Sequence, residues 1–202
     1  MADHYYTAQP ESKHKPGLVT YTYRGQALRF ETDSGVFSRT EIDRGTDILL
    51  CTLPETLAGD VLDLGCGWGA IGVSIAKANP ACRVVMADVN RRALQLSRDN
   101  LERNKTTAEV MESDGMAAVL DRSFDAVITN PPIRAGKQVI YKMFADSAAH
   151  LKQGGALYLV IRKQQGAESC VKYLKTLFAQ VEKLDKSGGF WVLKASEPLE
   201  RN

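Results

Sequence analysis

Val61-Leu62-Asp63-Leu64-Gly65-Cys66-Gly67-Trp68-Gly69 is a short, mostly apolar run that breaks into three alternate glycines. The first four residues read as a buried strand. Glycines after it let the backbone turn sharply and approach a ligand with no Cβ in the way. Residues 70–79 then carry helical spacing and stop at Asn79-Pro80. Strand, glycine turn and helix in that order place a helix N-terminus behind the turn, where negative groups are favoured. Gly67-x-Gly69-x-x-Gly72, with Asp88 about twenty residues on, also fits a dinucleotide fingerprint. A nicotinamide-dependent oxidoreductase therefore competes at this point.

Outward from this stretch the chain alternates. Strands are expected at 83–87, 109–111, 124–129, 156–161, 180–185 and 190–195. Helices are expected at 90–104 (opened by an Asn90 cap), 137–151 and 166–179. The alternation implies a parallel sheet with helices on both faces. Residues 124–129 are apolar on both sides and so central. Ser187-Gly188-Gly189 is a tight turn, which makes the last two strands antiparallel to each other. Upstream, Val19-Tyr21-Tyr23 and Leu28-Phe30 alternate about Arg24-Gly25-Gln26, a β-hairpin pattern. A helix follows at about 46–52, before Pro54. The expected organisation is a flexible N-terminus (1–16), a hairpin and helix extension (17–59), an α/β Rossmann-like domain (60–196) and a tail (197–202). Its sheet has seven strands, one of them reversed.

Composition excludes several classes. The chain of 202 residues is 44% hydrophobic and 25% charged, an ordinary globular balance. Apolar runs such as 156–161 are far too short to cross a bilayer, and 1–16 has no apolar core of a signal peptide. Cys51, Cys66, Cys82 and Cys170 stand far apart and read as buried free thiols, not a disulfide frame or zinc site. His4, His14 and His150 show no metal spacing. The expectation is a cytoplasmic protein with neither membrane nor metal. Net charge is +2, but residues 1–60 carry −3, 61–132 carry −1 and 133–202 carry +6. A basic last third suits a polyanionic partner or a merely solvated surface.

Three aspartates and one loop carry the chemistry. Asp88 ends the second strand of the core, where a carboxylate can accept both hydroxyls of a ribose. Asp63 suits a positive amino group, such as a methionine moiety supplies, and would repel a pyrophosphate. Asp114, after the third strand, is placed to meet an adenine amino group. At the end of the fourth strand stands Asn130-Pro131-Pro132, stiff because each proline fixes its own φ and restricts the residue before it. An exocyclic amine shares its lone pair with a π-system and is a poor nucleophile. Two acceptors, the Asn130 side-chain oxygen and the Pro131 carbonyl, can hold both its hydrogens and aim the nitrogen at a methyl donor.

With these residues in place, the chain resembles the class I S-adenosylmethionine-dependent methyltransferases. Gly35-Val36-Phe37-Ser38-Arg39 and 42–50, combined with Asn-Pro-Pro, are similar to one branch of them, the methyltransferase small domain family. That branch includes guanine-N2 methyltransferases of small-subunit (16S) ribosomal RNA. The resemblance spans roughly residues 17–196. It implies S-adenosylmethionine as cofactor, with Gly65, Gly67, Asp88 and Asp114 among its contacts, and Asn130 with Pro131 as the catalytic pair; Asp63, Gly69 and Asn130 are expected to join the cofactor contacts. It further implies ribosomal RNA as partner, for which Phe37, Pro132, Ile133, Arg134 and Lys137 are the expected contacts, the last two because of the basic charge after residue 132. Ile133 stands where relatives often have a base-stacking aromatic; either Phe37 or another ring supplies the stack, or the base is held mainly by shape. Longer relatives carry a second domain copy before the catalytic one, where this chain has about sixty residues. Adenine N6 or a protein glutamine amide is the alternative target. An oxidoreductase lacks its Tyr-x-x-x-Lys here, and a non-catalytic cofactor-binding module would leave Asn130 idle.

Overall fold

The computed structural model describes residues 12–200; the rest of the expected flexible N-terminus, 1–11, and residues 201–202 lie outside them. Strands β1 (Gly17–Tyr23) and β2 (Gln26–Thr32) form the expected hairpin. Arg24 and Gly25 both take positive φ in its turn, the pairing that matches strand twist in two-residue hairpins. Helix α1 (Arg44–Thr52) follows, capped by Asp43, whose Oδ2 accepts the N–H groups of Gly45 and Thr46.

Then come β3 (Gly59–Leu64), α2 (Ala70–Ala78), β4 (Cys82–Asp88), α3 (Arg91–Arg103), β5 (Glu109–Glu112), β6 (Phe124–Thr129), α4 (Lys137–Ala149), β7 (Leu151–Arg162), α5 (Ala167–Leu174), β8 (Phe178–Asp185) and β9 (Phe190–Pro198). Among the described residues the main sheet has seven strands in the order β5-β4-β3-β6-β7-β9-β8. All pairings are parallel except those of β9, antiparallel to both β7 and β8. The chain is an α/β Rossmann-like domain with β6 at its centre.

Alternate residues of each strand face opposite cores. Val61, Met86, Ile128 and Val192 pack under the hairpin, α1, α2 and α3. Leu62, Leu64, Val127, Leu159 and Leu193 pack under α4 and α5. The hairpin shares the first core through Tyr23, Leu28 and Phe30, with Phe30 edge-on to Trp68 at 5.1 Å between ring centroids. Asn100 of α3 and its C-cap Asn104, four residues apart and so on one face, close the free edge of β2. Asn100 pairs with the Glu31 N–H (2.7 Å) and C=O (2.9 Å), and Asn104 with the Arg29 N–H (2.9 Å) and C=O (2.8 Å).

Several boundaries differ from expectation, the largest shifts falling in the last third of the chain. Strand β7 starts at Leu151 rather than 156, because 151 already pairs with Phe124 and Gly154-Gly155 bulges out before pairing resumes at Ala156. Helix α5 ends at Leu174, where Thr176 and Leu177 tighten onto the carbonyls of Tyr173 and Leu174. Strand β9 runs on to Pro198 beside Phe178. Cys66 and Cys170 are buried and free, whereas Cys51 is exposed, since it lies on the outer side of α1.

Candidate active site

From β3 the chain steps outward to β4 and β5, and from β6 outward the other way to β7. The switch point therefore lies between β3 and β6, and such crevices at the carboxyl ends of strands bind ligands in open α/β sheets. The glycine turn follows β3 and Asn130-Pro131-Pro132 follows β6. Thr129 Oγ1 donates to the Leu64 carbonyl at 2.7 Å, which ties the two strand ends together.

The glycine turn is built on its neighbours. Gly65 and Cys66 N–H groups donate to the Ala87 carbonyl at 2.8 and 3.0 Å. Gly67 takes φ +56 and has open space where a Cβ would stand. Gly72 is required for a different reason: a Cβ there would lie 2.5 Å from Met86 Cγ. Both oxygens of Asp88 are engaged, Oδ2 by the Gly67 N–H and Oδ1 by the Asn90 N–H, each at 2.8 Å. A carboxylate keeps further lone-pair sites for hydroxyl groups. Burial nevertheless pushes the Asp88 carboxyl up, against those N–H bonds.

Asp63 is fully buried. Its Oδ2 accepts the Gly72 N–H at 2.7 Å, and its Oδ1 has no partner. Burial raises its pKa to about 7, the Gly72 N–H opposing and the Asp88 charge adding to the rise. A buried carboxyl with a spare oxygen suits a cationic group. Asp114 is exposed after β5, in a turn closed by the Ala117 N–H on its own carbonyl. The Cys66 thiol, buried beside Asp88 and Asp63, is held well above its ordinary pKa and is no nucleophile.

On the other side of the switch point, Pro132 (φ −73, ψ 77) makes an inverse γ-turn in which the Ile133 N–H donates to the Pro131 carbonyl at 2.8 Å. A carbonyl has two lone pairs, so one remains. The Asn130 carboxamide donates through Nδ2 to Asp43 Oδ2 (3.0 Å) and to Thr46 Oγ1 (2.9 Å). Its oxygen and the Pro131 carbonyl can then hold the two hydrogens of an amine. Asp43 and Thr46 were not singled out individually from the sequence, although both lie in the family-like segment 42–50.

Phe37 is 39% exposed, and its carbonyl accepts the Trp68 indole N–H at 2.7 Å, so segment 34–39 lies over the glycine turn. Ile133 is half-buried against α4's side of the sheet, while Arg134 and Lys137 are exposed beyond it. Arg44, Arg162, Lys163 and Lys186 are exposed too. Gly188 sits against the Arg44 guanidinium, and the Lys163 N–H donates to the Gly189 carbonyl, which gathers these cations around the β8–β9 turn. Among the described residues no group of three His, Cys, Asp or Glu is placed to hold a metal ion, and no helix is long and apolar enough to cross a membrane.

The methyltransferase small domain family matches residues 27–194. An uncharacterised protein of Bacillus subtilis, YbxB, is 40% identical over 98% of this chain and 100% of its own length. Ribosomal RNA small subunit methyltransferase C of Haemophilus influenzae is 36% identical over 78% of this chain and 48% of its own. The Thermus thermophilus 16S rRNA N2 G1207 methyltransferase, solved with AdoMet and guanosine, superposes with a TM-score of 0.82 at 27% identity, over 93% of this chain and 52% of that one. The chain thus spans about half the length of these two named relatives.

Proposed function

The chain belongs to the methyltransferase small domain family, and from that premise we propose that it methylates the N2 amino nitrogen of a guanine in small-subunit ribosomal RNA, with S-adenosylmethionine as donor. One observation carries the reading: an amide oxygen and a proline carbonyl stand as acceptors at the β3–β6 switch point, beside a glycine turn with a spare buried carboxylate oxygen.

The residues fit the donor. The unpartnered Asp63 Oδ1 suits the amino group of its methionine part, the open space over Gly67 leaves room for it, and Asp88 suits the ribose hydroxyls. Gly65 and Gly69 shape the turn, and Asp114, exposed after β5, suits the adenine amino group. When bound, S-adenosylmethionine supplies a methyl carbon on a sulfonium, and its transfer leaves a neutral thioether. Asn130 Oδ1 and the Pro131 carbonyl hold the two N–H hydrogens of the target amine and turn its lone pair toward that carbon. Such placement replaces solvent by fixed dipoles and supplies most of the rate. No strong base is required, because the nitrogen turns acidic once alkylated. Phe37, Pro132 and Ile133 hold the base, and Arg134 and Lys137 meet the phosphates next to it.

Transfer of a labelled methyl group to small ribosomal subunits, free RNA and protein fractions, followed by nucleoside analysis, tests the reading. Label in N2-methylguanosine is expected. Label in N6-methyladenosine or in protein glutamine would contradict the guanine target while keeping an amino nitrogen.

A further inference from the structure

A carboxamide can turn either end toward a substrate, and its oxygen and nitrogen are nearly the same size. Only the oxygen can accept an N–H. What sets the orientation of Asn130 is therefore a question of its neighbours on the other side. Nδ2 lies 3.0 Å from Asp43 Oδ2 and 2.9 Å from Thr46 Oγ1. Asp43 Oδ2 is itself fixed, because it also receives the N–H groups of Gly45 (2.9 Å) and Thr46 (3.2 Å) in the first turn of α1. An ionised carboxylate is acceptor-only. The opposite orientation of Asn130 would set two acceptors 3.0 Å apart with no hydrogen between them.

We propose, on the reading that the target is an amino nitrogen, that Asp43 and Thr46 are positioning residues that hold the Asn130 nitrogen and thereby keep its oxygen as the acceptor for the substrate. The N-terminal turn of α1 is then part of the acceptor half of the site, although 87 residues separate Asp43 from Asn130.

The hold can be read without substrate. In the ligand-free protein, the side-chain amide hydrogens of Asn130 should exchange slowly by 15N-resolved NMR. Asp43→Gly, which removes the oxygen that receives Nδ2 at little cost to the helix cap, and Thr46→Val should each speed that exchange about tenfold or more, since a bonded amide hydrogen exchanges only when its bond opens. In single-turnover methyl transfer at pH 8, Asp43→Gly keeps an acceptable helix cap yet should slow the reaction about tenfold, with affinity for S-adenosylhomocysteine unchanged. Thr46→Ser retains the acceptor and should keep the wild-type rate, while Thr46→Val should not.

A swap gives the sharpest arm. Asn130→Asp alone sets two carboxylates face to face and should lose about 10²-fold. Adding Asp43→Gly removes the facing carboxylate and should recover about tenfold of that loss, since a carboxylate at 130 has two like oxygens and needs no orienting partner. A merely structural cap predicts no such recovery. Wild-type amide exchange in Asp43→Gly, or no recovery in the double variant, overturns the proposal. The exchange arm needs no RNA, so it judges the hold even where the wild-type protein transfers no methyl group, the result that removes the functional reading instead.

Discussion

Asp63 has one oxygen bonded to the Gly72 N–H and the other without a partner, inside a fully buried site with a pKa of about 7. An unfolded aspartate titrates near 4, so between about pH 4 and 7 the folded protein holds a proton that the unfolded chain has released. Stability of the ligand-free protein should therefore fall as pH rises through that window, and level off above it. Ligand binding should follow the opposite sign, because a cationic amino group favours the ionised carboxyl. Affinity for S-adenosylhomocysteine should rise from pH 5.5 to 7 and then flatten, with proton release on binding seen by calorimetry in buffers of different ionisation enthalpy. Asp63→Asn should weaken binding and remove that slope. A slope that survives Asp63→Asn would assign the proton to another group, Asp88 being the nearest.

At the scale of elements, the hairpin is held to the domain by the amides of Asn100 in α3 and its C-cap Asn104, each answering one N–H and one C=O of β2. Asn100 is fully buried and donates to the Trp68 carbonyl as well. Asn100→Ala should cost about 2–3 kcal/mol in denaturant unfolding, since it leaves several buried backbone groups unpaired; a loss under about 1 kcal/mol would mean that water replaces the amide. The sequence pattern could not announce this. Asn90 was legible as a cap because a cap is a local pattern, whereas Asn100 and Asn104 look like any polar face of a helix. The parallel sheet was legible for the same local reason: each β-α unit carries its own periodicity and stop signals. Gly154-Gly155 read as a strand start and instead forms a bulge, since pairing on both sides of it depends on β6. Asp43 and Thr46 went unread as partners of Asn130 because a hydrogen bond across 87 residues leaves no trace in spacing.

At the scale of the whole molecule, two groups of exposed cations stand near the acceptor loop. Arg134 and Lys137 follow the loop, and Arg44, Arg162, Lys163 and Lys186 gather around the β8–β9 turn; among the described residues none of the six is in an ion pair. On the proposed function this face meets RNA phosphates. Arg134→Ala with Lys137→Ala should weaken RNA binding and reduce the slope of log K against log salt by about 1.4 for single-stranded RNA. Affinity for the methyl donor should not change. An unaltered slope would move the RNA to the cations around the β8–β9 turn.

On the proposed function the switch point divides the site into two halves: a donor half on β3 and β4, and an acceptor half on β6 and α1. Asn130 then belongs to the second and acts on the target nitrogen. The measurement that tests it most directly is the single-turnover methyl-transfer rate of Asn130→Ala beside its affinity for S-adenosylhomocysteine. A rate reduced about 10²-fold or more with affinity unchanged is the predicted result. A wild-type rate would contradict it, and would leave Asn130 as the turn residue that ends β6.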